Sequence, residues 1–192
     1  MLKHFTLETG QKITIETPTK QSILSYVEKR EAARNNKLDR KDDGDKDILD
    51  AITYPAQEEI LELLEEYPLL SIDLGNAFEE IAGIGLPVER KPSLITDELK
   101  AQHGRIVGYT IDGQDLVVKK LSRNEVKFWQ RELMHTKQIP YKHMSGLADS
   151  HVLQPYRDAY EQLSQKYPAL CLVVGQALMN DASTKLESDE KK

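Results

Sequence analysis

The carboxylates, histidines and single cysteine are the residues in this chain whose types and spacing are suited to chemistry. Asp39-Arg40-Lys41-Asp42-Asp43-Gly44-Asp45-Lys46-Asp47-Ile48-Leu49-Asp50 has the outline of a calcium loop. Oxygen donors stand at positions 1, 5, 7, 9 and 12, with glycine at 6. Lys41 occupies position 3, where a carboxylate is needed, and the shorter Asp50 replaces the bidentate glutamate of position 12. The segment therefore reads as a solvated charged loop with no calcium affinity in the micromolar range. His135, His143 and His151 recur at eight-residue intervals, neither the i, i+4 pair of one helix face nor a ligand knuckle, so no metal is expected. Cys171 has no second cysteine to pair with inside the chain, and its apolar surroundings predict packing rather than reactivity. The acidic pairs Glu58-Glu59, Glu65-Glu66 and Glu79-Glu80 sit side by side on predicted helices. Neighbouring charges of that kind face solvent rather than flank a substrate. No Walker loop, GxSxG elbow, GxGxxG turn or His-Glu-x-x-His helix is present. These residues predict a protein that is not an enzyme and takes no cofactor.

Composition narrows the class further. The 192 residues suffice for one ordinary domain or two small ones, and 39% hydrophobic against 30% charged residues is the balance of a soluble protein. A formal charge of −6 argues against a general nucleic-acid binder, which needs a basic face to displace counterions from phosphates. No apolar run approaches the ~20 residues needed to span a bilayer. The stretch Met1 to Glu8 lacks the apolar core of a secretory signal. The expected location is the cytoplasm, or the host cytoplasm for a phage-encoded chain.

The elements that must carry these residues are organised around a recurring stretch. Tyr67-Pro68-Leu69-Leu70-Ser71-Ile72-Asp73-Leu74-Gly75-Asn76-Ala77-Phe78 returns as Tyr167-Pro168-Ala169-Leu170-Cys171-Leu172-Val173-Val174-Gly175-Gln176-Ala177-Leu178. Ahead of the first copy, alternating Phe5, Leu7, Ile13 and Ile15 about Thr9-Gly10 predict a β-hairpin over residues 4–16. Thr17-Pro18-Thr19 then opens a helix whose apolar face is Ile23, Tyr26 and Val27, with Pro18 in its first turn. Residues 29–53 are so charged that they read as a solvated helix end and a mobile loop. Ile60, Leu63, Leu64 and Tyr67 mark an amphipathic helix. The Tyr-Pro pair breaks it, and a second helix follows through Leu70, Leu74, Ala77, Phe78 and Ile81, closed by Gly83 and Gly85.

Residues 83–107 read as a linker, with a short helix near 95–101. From Tyr109 the same order returns: a hairpin about Asp112-Gly113, Leu116 and Val118 placed 103 residues after Ile13 and Ile15, and a capping box at Ser122 to Glu125. Val126, Trp129 and Leu133 take the apolar face of the next helix, and residues 135–153 form a connection. Tyr156, Tyr160, Leu163 and Tyr167 then rebuild the amphipathic helix. The predicted fold is α+β and helix-rich, a tandem duplication of a β-hairpin followed by three helices (β-β-α-α-α). Its units are residues 1–82 and 108–182, with 4–82 and 108–182 expected to superpose, and a polar tail at 183–192.

A mid-helix glycine costs about 1 kcal/mol relative to alanine, yet Gly75 and Gly175 recur at one place, each two residues before an alanine. Two readings follow: a close helix crossing, internal or with a partner, or inherited core packing. The candidate contact residues are Tyr67, Leu70, Leu74, Gly75, Ala77 and Phe78, with Tyr167, Leu170, Val174, Gly175, Ala177 and Leu178.

Gly10, Lys12, Ile13, Ile15, Pro18 and Thr19 form a strand-to-helix entry of the type Gly-Lys-x-hydrophobic-x-hydrophobic-x-x-Pro-Thr, leading into a charged helix. That entry resembles the tail assembly chaperones of tailed bacteriophages, including those of the tape measure and the baseplate hub. The second copy keeps Gly113, Leu116 and Val118 but has Leu121-Ser122 in place of Pro-Thr. The resemblance covers about 30 residues in each copy. It implies a non-enzymatic late protein that coats a tape-measure protein and recruits tail-tube subunits, binding amphipathic helices in grooves between its own. The duplication departs from the commoner single unit of that family. A homo-oligomer is compatible with such a role. The competing expectation is an adaptor or regulator of phage or bacterial origin that binds and inhibits a host protein.

Overall fold

The computed structural model describes residues 2–34, 44–136 and 141–182. The chain is α+β and helix-rich. Strands β1 (Leu2–Thr6) and β2 (Lys12–Glu16) pair antiparallel, with Phe5 opposite Ile13, and lead to helix α1 (Lys20–Arg34). Thr19 caps that helix by accepting the Ser22 amide at 3.1 Å, so Pro18 stands just outside the first turn rather than within it. Helix α2 (Asp45–Ala51), strand β3 (Ile52–Tyr54), helix α3 (Gln57–Glu66) and helix α4 (Leu70–Ala82) complete the first half. β3 pairs with β2, giving a sheet of order β1-β2-β3 in which Ile13, Thr14 and Ile15 are buried.

The segment 29–53 is therefore not one charged loop. Residues 35–43, including Asp39 to Asp43 of the calcium-like stretch, lie outside the described residues. Its second part is the helix α2. Ile48 is the reason: it is buried against the first-half core, while Asp45 and Asp47 in the first turn complement the helix dipole. Lys29 of α1 holds Asp47 at 3.0 Å.

Nor is 83–107 a bare linker. It carries strand β4 (Val88–Arg90), a 3₁₀ turn at Pro92–Leu94 and helix α5 (Asp97–His103), whose Thr96 cap accepts the Leu99 amide. β4 pairs with β5 (Ile106–Ile111), which pairs with β6 (Gln114–Lys119), making a second sheet of order β4-β5-β6. Leu94, Ile95 and Leu99 cover Ile106, Val117 and Leu153 in a small satellite core.

Helix α6 (Arg123–Thr136) follows the predicted capping box, in which Ser122 Oγ accepts the Glu125 amide and Glu125 accepts the Ser122 amide. The predicted connection 135–153 contains helix α7 (Tyr141–His151), which buries Met144, Leu147, Ala148 and His151 at i, i+3, i+4, i+7. Helices α8 (Arg157–Lys166) and α9 (Leu170–Ala182) end the described chain.

Several details recur about 100 residues further along the chain. α3 and α8 have equal lengths and begin 100 residues apart, as do α4 and α9. Leu63 accepts the Tyr67 amide and Leu163 the Tyr167 amide, both at 2.7 Å. Ile15 pairs with Ile52, and Val118 with Val152. The observed order through residue 82 is β-β-α-α-β-α-α, one short helix and one strand richer than β-β-α-α-α.

The halves share one core, which runs from Ile13, Tyr26 and Phe78 through Tyr109 and Leu116 to Leu170 and Leu178. They meet where the end of α4 abuts the Tyr167-Pro168 corner. α4 ends at Gly83 in the left-handed conformation (φ 83°), and the Ala82 carbonyl accepts the Ala169 amide at 2.9 Å. The carbonyl end of one helix thus meets the amide end of another, the favourable pairing of their dipoles. A side chain at Gly83 would meet Tyr167 Cβ at 2.7 Å, so glycine is required there by both contact and φ.

Candidate functional site

α9 differs from α4 in being apolar almost all round. Leu170, Cys171, Leu172 and Val174 are buried, where α4 exposes Ile72 and Asp73. A helix of that kind needs cover on more than one side. α7 supplies the first cover by crossing at Gly175, and the first half supplies the second incompletely. What remains is a groove of about 570 Å³ between the halves. One wall is Val27 of α1, Ile84 and Leu86 after α4, and Val88 of β4. The opposite wall is Met144 of α7 with Leu172, Val173 and Ala177 of α9.

Polar groups collect at one end. Tyr109 donates its hydroxyl to Asp181 Oδ2 at 2.9 Å, and Arg90 Nη1 lies 3.7 Å from Asp181 Oδ1. Burial, and then the Asp181 carboxylate, push the Tyr109 phenol above its ordinary range, so it stays protonated and donating. Gln176 Nε2 donates to Asn180 Oδ1 at 2.9 Å on the rim. Apolar walls with clustered donors and acceptors at one end suit an amphipathic ligand and fix which way round it lies.

The residues singled out in the sequence divide into several groups. Leu70, Leu74, Gly75 and Phe78 are buried in the first half, and Leu170, Val174, Gly175 and Leu178 in the second. Tyr26 packs on Phe78 with ring centroids 4.9 Å apart. These residues are buried in the core, and Gly75 also lines a depression with Tyr26, Ile48 and Ile72. Ala177 lines the groove, while its counterpart Ala77 is half-buried against the core. Tyr67 is exposed at the α3–α4 corner, and Tyr167 donates to Asp112 at 3.1 Å between the second hairpin and α9.

The glycines are not equivalent. A methyl at Gly175 would meet Met144 O at 2.8 Å, whereas one at Gly75 would find only Ile48 Cδ1 and Tyr26 Oη at 3.8 Å. The close crossing exists at α9 alone, because α7 sets backbone against Gly175 where α2 sets a side-chain end near Gly75.

Comparison with known proteins returned no match among family models, curated proteins or solved structures. Among the described residues no group of three or more histidines, cysteines or carboxylates converges to hold a metal, and no helix is long and apolar enough to cross a membrane. Cys171 is buried, which raises its thiol above the ordinary value and disfavours the reactive thiolate.

Sequence reasoning missed Arg90, Tyr109, Met144, Leu172, Val173 and Asp181. One signal was available: Leu170-Cys171-Leu172-Val173-Val174 lacks the polar positions of Leu70-Ser71-Ile72-Asp73-Leu74, and so carries more apolar surface than one packing face can use.

Proposed function

We propose that this chain is a non-enzymatic assembly chaperone of the tailed-phage type, holding an amphipathic helical segment of a tape-measure or tail protein between its halves. The observation that carries the reading is the groove itself: Val27, Leu86, Leu172, Val173 and Ala177 offer apolar walls, with Tyr109, Asp181 and Arg90 grouped at one end. Helix-in-groove recognition uses such walls for the apolar face of the ligand and a polar end for its orientation. The resemblance of the Gly10 to Thr19 entry to tail assembly chaperones names the class of partner.

In this reading the chain is a tandem duplication of a hairpin-and-helices unit, and the groove lies where α1 and the segment joining the units face α7 and α9 of the second unit. The matched helix lengths, the repeated Tyr-Pro corners and the two like strand contacts support that origin. The site of action is the cytoplasm of the producing cell.

Labelled helical peptides tiling the tape-measure protein of the same genome provide the test. At least one should bind saturably to the native chain and lose most affinity to Val173→Asp and to Ala177→Arg, with far-UV circular dichroism unchanged. If no tile binds, and capture from native cells instead returns a host protein sensitive to the same substitutions, the chaperone reading fails and the inhibitor reading replaces it.

A further inference from the structure

The groove has a length and a direction. Its wall on α9 runs from Leu172 and Val173 through Ala177 to Asp181, along one face of the helix. From Leu172 to Asp181 the helix rises about 13 Å, so an occupant helix would lie against it for about two and a half turns. Across from α9, Val88 and Arg90 of β4 line the groove and Glu89 between them does not, the alternation expected of a strand.

Both walls end on a charge, and the two charges are not equally placed. The Asp181 side chain is 17% exposed, and its Oδ2 accepts the Tyr109 hydroxyl at 2.9 Å. The Arg90 side chain is 58% exposed, and its Nη1 stands 3.7 Å from Asp181 Oδ1, beyond hydrogen-bond distance. Its guanidinium therefore offers Asp181 charge but no hydrogen bond, and keeps its planar fork of donors for an incoming group. A cation entering at this end would meet Arg90 before the more buried Asp181 and be repelled. A carboxylate would meet the guanidinium, with Asp181 behind it as a fixed counter-charge.

We infer that Arg90 selects among amphipathic helices, receiving a carboxylate that lies beyond their apolar anchors at the polar end of the groove. Two apolar side chains one turn apart would sit against Leu172, Val173 and Ala177. The acid would follow about 10 Å from the first of them, which is about seven residues of helix. The segment recognised is thus apolar at i and i+4 and acidic at i+7. This selectivity rests on the helix-in-groove reading above and assigns the sign of the occupant's charge.

Fluorescence anisotropy with three labelled helical peptides tests it. They share one sequence with leucine at i and i+4, and only i+7 differs, as Glu, Gln or Lys; acetylated and amidated ends carry no charge. The native chain should bind the Glu peptide about tenfold more tightly than the Gln peptide, the worth of one charge-assisted hydrogen bond, and the Lys peptide least. In Arg90→Glu, a change at an exposed side chain, the order should invert. Arg90→Lys should keep the native order with a smaller margin, because a point charge replaces the fork. If Arg90→Glu misfolds by circular dichroism, Arg90→Gln should bind the Glu and Gln peptides equally. A native chain that binds the Glu and Lys peptides alike, or binds none of the three, overturns the inference. So does an order unchanged by substitution of Arg90. Glu-peptide binding in the expected order, with no tape-measure tile bound, refutes the chaperone reading alone. A tile that binds without an acid and is indifferent to Arg90→Glu refutes the selectivity alone.

Discussion

A methyl group added at Gly175 meets the backbone of α7, and one added at Gly75 meets ordinary van der Waals space, so the same substitution should have opposite signs at the two sites. Met144 O at 2.8 Å belongs to a helix backbone and cannot rotate away. Gly175→Ala should therefore destabilise by roughly 1–3 kcal/mol, the usual cost of overpacking a core. At Gly75 the contacts are 3.8 Å, and both are ends of side chains. There the gain in helix propensity dominates, and Gly75→Ala should stabilise by about 0.5–1 kcal/mol. Urea midpoints of the two variants check both signs. Two destabilised variants would mean that Ile48 and Tyr26 are held more rigidly than their contacts indicate.

At the scale of the element, the start of α6 makes stability depend on pH. Burial pushes the Glu125 carboxyl up, but the Ser122 hydroxyl and amide, and then His151 at 3.2 Å, outweigh it and hold the group below its ordinary value of 4.5. A carboxyl whose folded pKa is depressed stabilises the fold above the unfolded value, and that stability is lost as pH falls through the folded one. The loss should begin below pH 4.5 and continue downward. Glu125→Gln keeps an acceptor in the capping box but cannot titrate. Its stability deficit at pH 7 should shrink as the pH is lowered towards 3, as read by urea midpoints at the two pH values. Ser122→Ala removes the cap itself and should cost about 0.5–2 kcal/mol at either pH.

The whole molecule should unfold as one unit. Its principal core is continuous across both halves, and the Ala82–Ala169 hydrogen bond and the Lys20–Asp149 ion pair cross between them. Trp129, the chain's one tryptophan, is buried in the second half and reports on that half, whereas far-UV circular dichroism reports on every helix. Coincident urea transitions by the two signals are expected of a shared core. A tryptophan transition displaced from the dichroism transition would show that the halves unfold separately.

What the sequence determined by itself was local. The Tyr-Pro corners, the two hairpins, the capping box and the ends of α4 and α9 follow from backbone preferences and apolar spacing within a few residues, and all were legible. α2 and α7 were not. Their apolar residues are few and lie among charges or histidines, so each becomes a helix only when Ile48 or Met144 finds a surface built by distant residues. β4 escaped for the same reason, because a three-residue strand is defined by its partner β5. The candidate contact residues were chosen for recurrence, and recurrence marked mainly the positions that every copy of the unit must bury. Tertiary structure decided which apolar faces stay open. Leu172 and Ile72 hold like positions in the recurring stretch, but α7 packs closely across α9 and leaves Leu172 8% exposed, while Ile72 at the start of α4 is 58% exposed. Exposure depends on what packs from elsewhere in the chain, and the local pattern signals it only through the extra apolar residues of Leu170 to Val174.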